Sequence, residues 1–311
     1  MPRTTKIYGL IFTPIYLTAL GAAVLVYQLR PADILTSLLI VGVFFSFLAW
    51  ALTRHLEPET IAKPAQKKEP LVLLALLLWV TSYITIGGDF ITKLLPESFQ
   101  KNEQSLFFFI IVRKLFVFFI IPFFTYRHFD FSLYDFGLKI SASKIFTKKN
   151  IYLLVGMSTA ILLFQYFFSS GAKPLREGQF PVSKLIFAIP IAFIWLAIEA
   201  GLVEEFFFRG VLQARLAVLL KSEWGAILIG GLIFGLVHVP GLYLRGGESE
   251  NIGEPLSVWF WICYCILNMS LAGVFLGIIW NKSRNLYLVI FLHAMVDLLP
   301  NLPEFIRIWE I

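Results

Sequence analysis

Nine apolar runs, separated by short polar segments, organise the chain: 7–28, 32–52, 70–92, 105–126, 151–170, 186–216, 224–240, 257–280 and 285–300. Most of them reach the roughly 17–25 residues that a helix needs to cross a bilayer. The pattern predicts an all-α fold, a polytopic integral membrane helical bundle of about eight to nine transmembrane helices. The seventh and ninth runs are short. The sixth is long enough to tilt, to kink at Pro190, or to begin in the interface. An eight-span arrangement with one short run lying in the interface stays open. Arg3 and Lys6 precede the first run as a leader's basic region would. The run itself, Tyr8 to Tyr27, is as long as a full span and long for a cleavable core, so it reads as a retained first helix.

Composition agrees. The 311 residues are 58% hydrophobic and 15% charged, against about 45–50% and about 25% in soluble domains. The 32 Phe and 8 Trp suit lipid-facing and interfacial positions. The net charge of +6 points to no nucleic acid, because Lys and Arg lie between the apolar runs. There they favour, about two to one, the side on which the N-terminus lies, so the positive-inside rule predicts a cytoplasmic N-terminus. Cys263 and Cys265, two residues apart on a helix, point away from each other and promise neither a disulfide nor a metal pair. The linker Leu56–Pro70 divides the chain into an accessory hairpin with its linker, 1–69, and a core, 70–311. The basic stretch Tyr134–Lys149 suits the inner surface.

An ionisable group at mid-span costs roughly 2.5–3.5 kcal/mol on insertion scales, so such residues need a reason to be there. Here they concentrate in the last third of the chain. Glu199, Glu204, Glu205 and Arg209 lie in the sixth run, His238 in the seventh, His293 and Asp297 in the ninth. Glu205 and Arg209 are four apart with the acid first, the favourable order for a salt bridge, and Gln213 continues that row. Glu204 is turned about 100° from Glu205 and can face another neighbour. His293 and Asp297 share a face. Gly231 and Gly235 form a small-residue row beside His238, which predicts a close helix approach that brings His238 toward Glu204. Glu199 suits a partner such as Arg113 or Lys114. Asn268 suits helix–helix adhesion, and His55 and His128, each beside an arginine, suit the surface.

The motifs Glu204-Glu205-x-x-x-Arg209, Phe234-x-x-x-His238 and His293-x-x-x-Asp297, in this order on three apolar runs, resemble those of the CAAX protease and bacteriocin-processing family. That family includes type II CAAX prenyl endopeptidases and abortive-infection-like relatives. The resemblance covers roughly residues 130–300. It implies an intramembrane endopeptidase, in the cytoplasmic membrane of a bacterium, acting on a membrane-associated or prenylated peptide or protein. Its site residues would be Glu204, Glu205, Arg209, His238, His293 and Asp297. In one version of the chemistry, Glu204 and His238 activate a water while the last motif, His293 with residue 297, stabilises the oxyanion. In the other, Glu204, His238 and His293 hold a divalent metal, written as zinc, a known catalytic ligand set. The resemblance favours a site opening to the cytoplasm. Asp297 stands where the family also admits Asn. An ionised Asp cannot donate to an oxyanion, which leaves it to orient His293, bind a cation or carry a proton.

Two other functions compete. An ion-coupled transporter would also place Glu, His and Asp inside the membrane, although no inverted repeat is visible. A non-catalytic membrane scaffold of the same family is the other. The membrane lipid is a partner in every case, while the sequence leaves the oligomeric state open. One geometric demand remains. Glu204 and His238 reach a common depth only if the sixth helix is centred near Glu204 or the seventh is shifted.

Overall fold

The computed structural model describes residues 3–29, 31–56, 63–138, 145, 147–245 and 257–311. Parts of the linker and of the basic stretch Tyr134–Lys149, with Arg30, Lys139 and Lys144, fall outside them. The described residues are helical with no strand, and nine helices are long and apolar enough to cross a membrane. They are α1 (Ile7–Leu25), α2 (Ile34–Thr53), α3 (Glu69–Lys93), α4 (Glu103–Arg127) and α5 (Lys148–Phe168). α6 (Val182–Leu219), α7 (Glu223–Leu244), α8 (Val258–Ser283) and α9 (Leu286–Trp309) follow. The ninth run, short in sequence, is full length here because α9 continues through Pro300 and Pro303, and the seventh reaches Leu244 across a break at His238. The fold is a polytopic helical membrane bundle.

The outward surface is what lipid requires. Leu10, Leu17, Leu71, Leu78, Val155 and Phe187 are exposed, a loss in water but none in hydrocarbon. The inner packing is aromatic. Phe118, Phe206, Phe207, Phe208, Phe136 and Phe234 interlock at the centre.

Without a hydrophobic drive between helices in lipid, close backbone approach and buried polar contacts hold the bundle together. α7 and α8 meet at glycines: a Cβ on Gly273 would lie 2.7 Å from Gly231 Cα, and one on Gly235 2.8 Å from Cys265 O. The Gly231/Gly235 row therefore faces α8, not α6 as its place beside His238 suggested. The close approach that serves the site is at Gly201, where a Cβ would lie 2.8 Å from Ile290 O of α9. The hairpin packs on the same α7–α8 pair. Tyr16 donates to Leu267 O at 3.4 Å and Ser37 to Asn268 Oδ1 at 2.5 Å, so Asn268 does join helices.

The two ends of the bundle are fastened separately. At the end where α3, α7 and α9 begin, buried Arg215 pairs with Glu69 at the start of α3 and donates to Lys63 O at 3.0 Å. Asp135 there accepts from the backbone N–H and hydroxyl of Ser132, both at 2.7 Å, and meets Lys63 Nζ at 3.3 Å. Burial alone would raise this carboxyl, but those donors hold it below its ordinary value. At the opposite end, Arg307 of α9 pairs with Glu103 of α4 at 2.8 Å. His55 and His128 lie at the surface as expected, and Cys263 and Cys265 are not joined in a disulfide.

Candidate active site

α6 carries most of the site. It contains two π-helical stretches, Ala197–Leu202 and Phe206–Gln213, around a short α-helical piece. In a π-turn the bonds run i→i+5, so residues five apart come to nearly the same side. Glu199 and Glu204 both turn toward Lys114 of α4. Lys114 donates to Glu199 and lies 3.9 Å from Glu204 Oε1. The sequence offered Arg113 or Lys114 as partner of Glu199; Lys114 takes it. Arg113 donates to Gly88 O and to Thr92 Oγ1 of α3.

The other face of α6 holds the buried pair. Glu205 Oε2 lies 3.1 Å from Arg209 Nε, both side chains almost wholly enclosed. Arg209 stacks over the Phe234 ring, 4.4 Å from its centroid, and donates to Gly273 O at 3.4 Å. Gln213, next in the row, donates to Gly277 O at 2.9 Å. The i,i+4 row read from the sequence thus docks on successive carbonyls of α8. Glu205 has a second partner: His293 Nδ1 of α9 lies 2.5 Å from its Oε1. Since a carboxylate paired with arginine only accepts, the ring donates from Nδ1.

His238 sits where α7 breaks, between the helices Glu223–Leu236 and Val239–Arg245. Its Nδ1 donates to Phe234 O at 2.7 Å, because a carbonyl can only accept. In the neutral ring this leaves Nε2 as an acceptor. That nitrogen is 3.8 Å from Glu204 Oε2, and His293 Nε2 is 4.0 Å from the same oxygen. Asp297 Oδ2 lies 3.4 Å from His293 Nε2. All six residues singled out in the sequence therefore meet in one cluster. Glu204 lies near the midpoint of the 38-residue α6, and His238 is well past the midpoint of α7, which meets the demand for a common depth.

Glu204, His238 and Asp297 line a cavity of about 560 Å³, together with Lys114, Glu199, Arg113, Tyr83, Asp89, Asn301 and Glu304. His293 is enclosed behind it, and no residue of α1 or α2 contributes to its wall. Among the cavity residues outside the motifs, Lys114 and Arg113 are the two basic ones. Their only signal was a pair of basic residues inside an apolar run. The cavity lies in one half of the bundle, toward the ends Lys93, Glu103, Leu244 and Trp309 of α3, α4, α7 and α9. The N-terminus belongs to the opposite end. A cytoplasmic N-terminus and a cavity opening to the cytoplasm therefore cannot both hold.

The donor chemistry, two imidazole nitrogens and a carboxylate, is that of a catalytic zinc site, but the spacing is not. Zn–N and Zn–O bonds of about 2.0–2.1 Å in a tetrahedron put donors roughly 3.3 Å apart. Both nitrogens are farther than that from Glu204, and among the described residues no group of three His, Cys, Asp or Glu is arranged to hold an ion. Lys114 adds a positive charge against the same carboxylate. As placed, these residues suit a hydrogen-bonded water better than a dication.

Residues 186–299 match the family model described as type II CAAX prenyl endopeptidase Rce1-like, a description similar to the family that the three motifs resemble. The match takes in every residue of the cluster except Lys114. No curated protein and no solved structure matches the chain.

Proposed function

From a chain whose residues 186–299 match an Rce1-like type II CAAX prenyl endopeptidase model, we infer an intramembrane endopeptidase that hydrolyses a peptide bond of a membrane-associated, prenylated substrate with water activated by Glu204. The observation that carries this reading is the convergence of His238 Nε2 and His293 Nε2 on one oxygen of Glu204, at 3.8 and 4.0 Å. Those gaps are too long for direct hydrogen bonds and right for a bridging water.

A water held there gives its protons to Glu204 and an imidazole and turns a lone pair toward the cavity. Glu204 is the general base. The remaining groups fix it: the Phe234 carbonyl sets the tautomer of His238, and Glu205, held by Arg209, orients His293. The cavity is apolar along Phe107, Phe118, Phe208 and Phe305. Such walls suit a lipidated or hydrophobic segment that enters from the membrane.

The test is cleavage of a prenylated CAAX peptide by detergent-purified protein. Glu204→Gln removes the base with little change in volume and is expected to abolish cleavage, by at least about 100-fold on general-base grounds. Full activity in that variant would end the reading. A zinc chelator is expected to leave the rate unchanged. Inhibition reversed by zinc alone would replace the water-only reading with a metal site on Glu204, His238 and His293. Flux in proteoliposomes that needs Glu204 and His238, without cleavage, would favour a transporter.

A further inference from the structure

Amide hydrolysis at Glu204 leaves one requirement without a residue: a donor for the negative charge that develops on the carbonyl oxygen. Asp297 occupies the position where an asparagine amide could donate. His238 spends its Nδ1 proton on Phe234 O and offers Nε2 as an acceptor. His293 has carboxylates at both ring nitrogens, Glu205 at 2.5 Å and Asp297 at 3.4 Å. The ring protons of both histidines thus face Phe234 O, Glu205 and Asp297, and an ionised Asp297 has none to give, so the motif residues leave no free donor for the oxyanion.

Lys114 supplies one. It belongs to α4, outside the matched domain. It lines the cavity with Glu204 and His238, donates to Glu199 and stands 3.9 Å from Glu204 Oε1. An ammonium has three N–H donors and no acceptor. Glu199 takes one of them, which leaves the others for the space in front of Glu204. The two imidazoles approach Oε2 of that carboxylate while Lys114 approaches Oε1. Water and cation therefore flank the base from different sides, the arrangement that attack on a carbonyl between them needs.

We propose that Lys114 is the oxyanion donor of this site, recruited from a helix outside the motif-bearing domain, with Glu199 as the carboxylate that holds it in place. The proposal rests on the protease reading above. In the step it serves, the water gives a proton to Glu204 as its oxygen bonds to the carbonyl carbon. The carbonyl π pair moves onto oxygen, where Lys114 donates a hydrogen bond and keeps its proton. Collapse re-forms the C=O bond and breaks the C–N bond, and the proton on Glu204 passes to the leaving nitrogen. Amide and water become acid and amine, with no further reactant.

Charge neutralisation of Glu199 and Glu204 is the competing role for Lys114, and a double-mutant cycle separates the two. Four proteins are compared with wild type on a quenched-fluorescence prenylated CAAX peptide: Lys114→Met, Glu199→Gln, the double variant and Glu204→Gln. Each is checked for monodisperse elution and melting temperature in detergent. An oxyanion donor predicts a kcat loss of about 10²–10³ for Lys114→Met, with KM changed far less. Glu199→Gln loses less than about tenfold, since the lysine stays, and the double variant is as impaired as Lys114→Met even though its charge balance and melting temperature are restored. A double variant that regains activity to within about tenfold of wild type makes the pair structural and overturns the proposal. Equal losses in the two single variants do the same. Should Lys114→Met not fold, the double variant, which leaves no unpaired charge, carries the test alone. Wild type that cleaves nothing, or Glu204→Gln that cleaves fully, rejects the protease reading itself. An inactive Glu204→Gln beside an active double variant rejects only the role of Lys114.

Discussion

At Glu205 one carboxylate serves two partners, Arg209 on its own helix and His293 on α9. It is a buried charge with no access to water, so removing its charge leaves the Arg209 guanidinium uncompensated. Breaking such a pair costs about 3–5 kcal/mol. Glu205→Gln is therefore expected to lower the melting temperature markedly and to cut cleavage by about 10–100-fold, as loss of an orienting partner does. Asp297→Asn is the contrasting case. The imidazole of His293 is already fixed through Nδ1, so this variant is expected to keep its melting temperature and to stay within about tenfold of wild-type activity. A hundredfold loss in Asp297→Asn would make the Asp297 carboxylate a participant in the chemistry. The residues of the site were legible because charges in hydrocarbon are costly and few. Lys114 was legible only as one of two candidates for Glu199, because a sequence does not say how far one helix is rotated against its neighbour.

Among the elements, α6 decides the geometry. Its apolar run and its i,i+4 row were readable with the ordinary period of 3.6. Its π-turns were not, and they are what let Glu199 and Glu204 share Lys114. The small-residue row on α7 was readable too, but its direction was not: spacing identifies a close-packing face without naming the helix it meets. Gly201 tests the contact that matters. Its missing Cβ admits the Ile290 carbonyl, backbone that cannot swing aside. Gly201→Val is expected to push α6 from α9 and part Glu205 from His293, costing about 1–3 kcal/mol as overpacking does, with loss of cleavage. Gly9→Ala, on α1 with nothing near it, is the control and should melt within error of wild type or slightly above it. If both variants melt alike, the α6–α9 contact has room for a side chain at position 201 and does not hold the site together.

For the whole molecule, composition and run lengths already required a membrane bundle, whereas the sidedness of its site emerges only from which helix ends surround the cavity. Antiparallel crossings put Asp89, Asn301 and Glu304 at the end opposite Lys221 and Glu223. By the positive-inside rule the basic loops between spans are expected to lie, with that second end, in the cytoplasm. In that orientation the cavity would open away from the cytoplasm, against the side that the family resemblance favoured. Single cysteines decide between them, in a background where Cys263 and Cys265 are alanine, because both Glu304 and Lys221 are exposed. Glu304→Cys is expected to react with a membrane-impermeant maleimide on intact cells, and Lys221→Cys only after permeabilisation. The reversed pattern would put the N-terminus outside and the cavity in the cytoplasm, and would mean that the basic loops do not set the orientation of this chain. Labelling of both from one side would contradict the alternating path of the nine helices. Prenylated substrates that meet the enzyme at the cytoplasmic leaflet would, in the expected orientation, have to reach the cavity laterally through the bilayer. That route fits the cavity's aromatic wall of Phe107, Phe118, Phe208 and Phe305 better than an entry from water does.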